Sequence, residues 1–150
     1  MKRAAPLLLL LLLVVGGGLL IGAATAPGAW YAALAKPPFN PPGWLFGPVW
    51  TALYVLIAVA GARTWRRERS GKAMTLWWTQ QALNFAWSPV FFAAHQIGLA
   101  LAVILAMLAA ILAFIAVSWG RDCVAAVLFV PYAAWVAFAS ALNAAILVLN

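Results

Sequence analysis

The chain has 150 residues, of which 68% are apolar and only 7% charged, with a formal net charge of +7. No soluble core of this size could hide so much apolar surface, so the composition excludes a water-soluble domain and points to an integral membrane protein. The lone Cys123 excludes an internal disulfide, and the basic residues flank apolar runs rather than forming a soluble basic domain, so nucleic acid is not a partner.

A helix rises about 1.5 Å per residue and needs roughly 20 apolar residues to cross the hydrocarbon. Five stretches meet this test, and they predict an all-α membrane bundle of five transmembrane helices in one domain, residues 1–150. The first span covers about residues 6–26. Its MKR start and GAATA end resemble a signal peptide, but its length, with Gly18, Gly22 and Ala26 at four-residue spacing, reads as a retained helix built for close packing.

Between the first and second spans lies the densest feature of the chain. The segment WYAALAKPPFNPPGWLFGPVWTALY, residues 30–54, holds five prolines, one lysine and seven aromatics. Pro37, Pro38, Pro41 and Pro42 forbid a continuous helix and hold the backbone near polyproline geometry, so the loop costs little entropy to order. It reads as the preformed wall, or lid, of a binding site.

The second span (44–65) presents Phe46, Trp50 and Tyr54 on one helical face. In the third (73–92), Gln80, Asn84, Trp87 and Phe91 align the same way. The apolar run from residue 73 to 120 is about two bilayer crossings long, so it must fold back once, at His95, Gln96 and Gly98. The fourth span (97–119) carries Gly98, Ala102, Ala106 and Ala110 every four positions, a face suited to another helix or to a second subunit in a homodimer. In the fifth (123–149), Leu128, Tyr132, Trp135, Ala139 and Asn143 form the last stripe.

Three helices offering aromatic faces with a few hydrogen-bonding tips would enclose a flat, sparsely polar pocket suited to a planar ligand. Other tryptophans near span ends, Trp44, Trp65 and Trp119, read as an interfacial belt, with Trp77 and Trp78 partly so. Threading five spans alternately puts Lys2, Arg3, Arg63, Arg66, Arg67, Arg69, Lys72 and Arg121 on one side and Lys36 alone on the other. The positive-inside rule then makes the amino terminus and the RTWRRERSGK loop (63–72) cytoplasmic if the membrane is an inner one.

Other chemistries lack their residues. The only acids, Glu68 and Asp122, sit at span ends beside basic residues, which argues against proton-coupled transport. No serine has a paired base, no His or carboxylate cluster offers a metal site, and His95 reads as a solvated interfacial side chain.

The segments LAKPPFNPPGW and FGPVWTALY, then QQALNFAWSPVFF and PYAAWVAFASALN, occur in an order that resembles the tryptophan-rich sensory protein family, whose animal members are the mitochondrial translocator protein or peripheral benzodiazepine receptor. The likeness runs from Trp30 to Asn143. It implies a five-helix, often dimeric membrane receptor or sensor that binds porphyrins such as protoporphyrin IX and haem. A porphyrin would be a ligand, with no obligatory cofactor and no enzyme activity. Carried over by motif, the pocket would use Trp50, Tyr54, Asn84, Trp87, Tyr132, Trp135, Ala139 and Asn143, which the stripes had singled out together with Phe46. Trp50 and Trp135 would flank the ligand, Asn84 would hydrogen-bond it, and Ala139 would sit where a larger side chain alters the response. Tyr31, Lys36, Phe39 and Asn40 would form the lid. The resemblance leaves two alternatives: facilitated porphyrin transport, and oxidative porphyrin breakdown through Trp50 and Trp135. The animal sterol pattern is missing, because nothing after Arg121 is basic.

Overall fold

The computed structural model describes residues 4–150; Lys2 and Arg3, assigned above to the basic side, lie outside the described residues. Every regular element among those residues is helical. Helix α1 (Ala5–Ala24) carries Pro6 in its first turn, where its fixed φ is tolerated, and loosens to π-helical geometry over Leu12–Gly16. A short lid helix, Ala29–Ala33, precedes the Pro-rich loop; the proline density had concealed it. The loop ends at Pro42 with φ −59° and ψ 141°, and α2 (Gly43–Arg67) begins at once. Helix α3 (Lys72–Ser88) continues as a π-helical turn, Pro89–Ala93; α4 spans Ile97–Trp119 and α5 Cys123–Leu149.

Four helices, α1, α2, α4 and α5, are long and apolar enough to cross a membrane. Helix α3 is shorter and carries the polar residues Gln80, Gln81 and Asn84, yet all three are buried inside the bundle. With its π turn it completes the five-helix bundle. The chain reverses between α3 and α4 where the sequence placed the turn, and His95 adopts φ 56°, the only positive φ of a non-glycine among the described residues.

The helices form a ring. Helix α4 packs on α3 and α5, while α2 packs on α5 and α1; α3 closes the ring against α1 and α2 through far lighter contact. Close contacts mark both sides of α1, two against α3 and one against α2. Thr25 and Ser88 hydroxyls meet at 2.6 Å, Gly17 lies under Phe85, and Gly18 lies under Tyr54. Of the four-residue small spacing in α1, only Gly18 packs closely: a Cβ on Gly22 would meet nothing, and Ala26 is exposed. On α4 the expected small face is divided as well, since Gly98, Ala102 and Ala106 are exposed whereas Ala110 is buried.

One half of the ring is filled. Trp77 is fully buried against Gly61 and donates from Nε1 to the Ile57 carbonyl at 3.0 Å, so it is a core residue and not part of the interfacial belt. Trp44 and Trp119 do lie exposed, as a belt requires. At the nearby end, Asp122 is 6% exposed and accepts from Arg63, with Nη2 at 2.9 Å and Nε at 3.0 Å; Arg67 Nε lies 3.3 Å away. Asp122 also caps α5 by accepting from the Ala125 amide. Arg67 donates to the Arg121 carbonyl at 2.8 Å, and Arg121 pairs with Glu68 at 3.0 Å. The basic ends of α2 and α5 therefore share one side of the bundle, and the lid lies on the other.

Candidate functional site

In the half that is not filled, α1, α2, α3, α5, the lid and Met107 of α4 surround a cavity of ≈530 Å³. That volume lies within the range usual for small-molecule sites. The walls follow from helical spacing. Phe46, Trp50 and Tyr54 come from successive turns of α2; Asn84 and Trp87 come from α3; Trp135, Ala139 and Asn143 come from α5. All eight line the cavity. Trp50 and Tyr54 rings sit 5.6 Å apart, and Phe46 meets Trp135 edge-on at 5.8 Å. Gly18 is required here because a side chain at that position would occupy the space of the Tyr54 ring.

Tyr132, expected on the same stripe, does not line the cavity. It is fully buried one layer behind, where its hydroxyl donates to Gln80 Oε1 at 2.8 Å and accepts from Asn84 Nδ2 at 2.7 Å. Gln80 Nε2 in turn donates to the Trp77 carbonyl at 2.8 Å. A second chain runs through the other asparagine: Trp87 Nε1 donates to Asn143 Oδ1 at 3.1 Å, and Asn143 Nδ2 donates to the Ile97 carbonyl, also at 3.1 Å. Polar side chains in hydrocarbon must find partners, and these amides find them in neighbouring helices. Asn84 and Asn143 thus brace the walls with their nitrogens. Two buried polar atoms at the cavity keep no protein partner: the indole nitrogen of Trp135 and Oδ1 of Asn40.

The lid divides likewise. Tyr31 and Asn40 line the cavity, together with Pro27 and Pro41, whereas Lys36 and Phe39 do not. Lys36 Nζ donates to the carbonyls of Tyr31 at 2.7 Å and Leu34 at 3.1 Å, and lies 4.5 Å from the centre of the Tyr31 ring. It neutralises the open carbonyls at the end of the lid helix. Phe39 lies against Phe138, with ring centres 6.2 Å apart. Burial pushes the Tyr31 phenol above its ordinary pKa, with the neighbouring Asn40 side chain acting in the opposite direction. Tyr31 is accordingly a neutral phenol at physiological pH.

Three contacts that sequence reasoning missed fasten the lid. The Trp30 ring stacks on His95 at 4.1 Å with an interplanar angle of 14°. Tyr31 packs edge-on to Phe92 at 5.3 Å. Asn150 clamps the Ala35 peptide from both sides, accepting from its amide and donating to its carbonyl, each at 2.9 Å. Asn150 lies 115 positions from Ala35 and carries no local signal. Replacing Asn150 with alanine should raise hydrogen exchange of a peptide spanning residues 32–40 several-fold while leaving the residue 77–84 region protected. Unchanged exchange at the lid would show that Asn150 does not hold it.

The family model for the TspO/MBR family matches residues 9–149, almost the whole described chain. The chain belongs to the TspO/MBR family. It is 41% identical over 122 residues to the tryptophan-rich sensory protein of Cereibacter sphaeroides, covering 81% of this chain and 77% of that one. Against the translocator protein of Homo sapiens the identity is 40% over 120 residues, covering 76% and 70%. Protein CrtK of Rhodobacter capsulatus is 35% identical over 133 residues, covering 86% and 83%. Family membership and four apolar helices make this TspO/MBR member an integral membrane protein. Its relatives are named as sensory and translocator proteins.

Proposed function

We propose that this TspO/MBR protein is a membrane receptor or sensor that binds a tetrapyrrole in the cavity beneath the lid. The observation that carries the reading is the cavity itself: ≈530 Å³, walled by the rings of Phe46, Trp50, Tyr54, Trp87 and Trp135, and covered by Tyr31, Asn40 and the prolines. Stacking and apolar burial would supply affinity for a broad conjugated ring, and a few polar atoms would set its orientation. The porphyrin is a ligand and not a resident cofactor. Trp50 and Trp135 face the same space, so slow oxidative breakdown of a bound porphyrin is the second reading; turnover lost without loss of binding in Trp135→Phe would favour it. Clustering of Arg63, Arg67 and Arg121 at the end opposite the lid supports a cytoplasmic basic side in an inner membrane, with the lid facing outward.

The test is titration of the purified protein with protoporphyrin IX, read by tryptophan quenching corrected for porphyrin absorption. The expected result is saturation in the micromolar range or tighter. Ala139, nearly buried on the cavity wall, offers the sharpest control: Ala139→Phe should fill the site and weaken binding by about tenfold or more. Linear quenching that ignores this substitution would overturn the proposal.

A further inference from the structure

The chain carries two acidic side chains, Glu68 and Asp122, and the basic end of the bundle already uses both. Asp122 is paired with Arg63 and Arg67, and Glu68 with Arg121. Three further cations lie where α2 turns into α3: Arg66, Arg69 and Lys72 are exposed and enter no ion pair among the described residues. No acidic side chain remains to balance them, so their counter-anion comes from outside the chain.

Their depth identifies the kind of anion. The Arg69 guanidinium lies 5.5 Å from the centre of the Trp65 ring, and Trp65 meets Trp78 edge-on at 6.5 Å. Trp78 is 40% exposed, and Trp119 at the same end is 54% exposed. Tryptophans that rim the ends of membrane helices sit among lipid headgroups, so Arg69 is held at the level of the lipid phosphates. The turn itself is braced. Gly71 is buried with no room for a Cβ beside the Glu68 carboxyl, and Arg121 fixes that carboxyl from the α4–α5 connection at 3.0 Å. Guanidinium groups bind phosphate as planar forks and lysine binds it as a point charge. A zwitterionic lipid brings its own cation beside the phosphate, so three unbalanced cations favour a headgroup of net negative charge. A soluble anion would leave the exposed indoles unused, whereas a phospholipid lays its chains against them.

We propose that the turn between α2 and α3 is a headgroup site for an anionic phospholipid of the adjoining leaflet, with Arg66, Arg69 and Lys72 on its phosphate. The site does not depend on what occupies the cavity. The full chain in neutral-detergent micelles is titrated with phosphatidylglycerol or phosphatidylcholine brominated in the acyl chains, and tryptophan quenching reports which lipid sits against the protein. A cation near an anionic headgroup contributes about fivefold in affinity, so phosphatidylglycerol should be preferred by at least about tenfold at low salt. Raising the salt should shrink that preference.

The combined variant Arg66→Gln, Arg69→Gln and Lys72→Gln should lose the preference to within about twofold. Its thermal midpoint in lipid-free detergent should stay near that of the wild type, because none of the three pairs with another helix. Should the combined variant not fold, each single substitution should still lower the preference by about twofold to fivefold. A wild type without preference, or a preference that these substitutions leave intact, would overturn the proposal. Displacement of phosphatidylglycerol by glycerol phosphate would overturn it in favour of a soluble phosphate, and displacement by a polyglutamate peptide in favour of an acidic protein segment.

Discussion

Replacing Gly61 with valine is expected to destabilise the bundle strongly. A Cβ at this position would lie 2.5 Å from Cε2 of Trp77 and 2.7 Å from its Nε1, distances that real side chains do not tolerate. Trp77 cannot yield easily. It is fully buried, and its Nε1 is committed to the Ile57 carbonyl one turn before Gly61. To admit valine the indole must move, which breaks that hydrogen bond and leaves a buried donor without its partner. Overpacking costs about 1–3 kcal/mol and an orphaned buried donor a further 1–3 kcal/mol, so a loss of about 3 kcal/mol or more is expected. The measurement is the thermal midpoint of the detergent-purified protein. Trp77→Phe in the Gly61→Val background should recover part of the loss, because the smaller ring vacates the contested space. No recovery, or a midpoint unchanged by Gly61→Val alone, would contradict the packing described.

The second large effect concerns Asp122, and its sign depends on pH. Burial alone would raise the pKa of this carboxyl. Hydrogen bonds from Arg63 and the Ala125 amide, with the charges of Arg63 and Arg67, outweigh that and hold it below the usual carboxylate range. A carboxyl whose folded pKa is depressed stabilises the fold fully above its unfolded value, about 3.9, and loses that contribution as pH falls through the folded value. Asp122→Ala removes the ion pairs and the α5 cap together. Because Arg63 is 35% exposed and Arg67 more so, solvent screens part of the pairing; the expected loss at neutral pH is about 2–3 kcal/mol. The difference between wild type and variant should shrink below about pH 4, down to what the neutral carboxyl keeps as a cap once Asp122 is protonated. Melting curves across pH 3–8 would decide this. A gap that stays constant down to the lowest pH would mean that the cap or local packing, and not the charge, carries the contribution.

Much of this architecture is legible in the chain. Hydrophobic length gave the five helices and the reversal at His95, since the bilayer dictates how many apolar residues a crossing needs. Four-residue spacing placed Phe46, Trp50 and Tyr54 on one face, and Trp135, Ala139 and Asn143 on another, because a helix turns 3.6 residues per turn whatever surrounds it. The lid was announced by its prolines. Periodicity stops there: it assigns a residue to a face but not the rotation of that face against its neighbours. Tyr132 shares a stripe with Trp135 and Ala139, yet α5 is turned so that Tyr132 meets Gln80 and Asn84 behind the cavity wall. Trp77, read as partly interfacial, is instead enclosed by the close approach of α2 and α3 at Gly61.

By itself, then, the sequence determined the solvent, the number and order of helices, the aromatic faces and the family, because each is written in local composition, spacing or ordered motifs. Only the tertiary structure decided which polar groups remain free. Asn84, Asn143 and Lys36 have their nitrogens committed, while the Trp135 indole nitrogen and Asn40 Oδ1 are left without partners. The physical reason is that hydrogen-bond partners in a membrane bundle come from other helices. The bonds from Asn84 to Tyr132 and from Ala35 to Asn150 span 48 and 115 positions, beyond the reach of any local pattern.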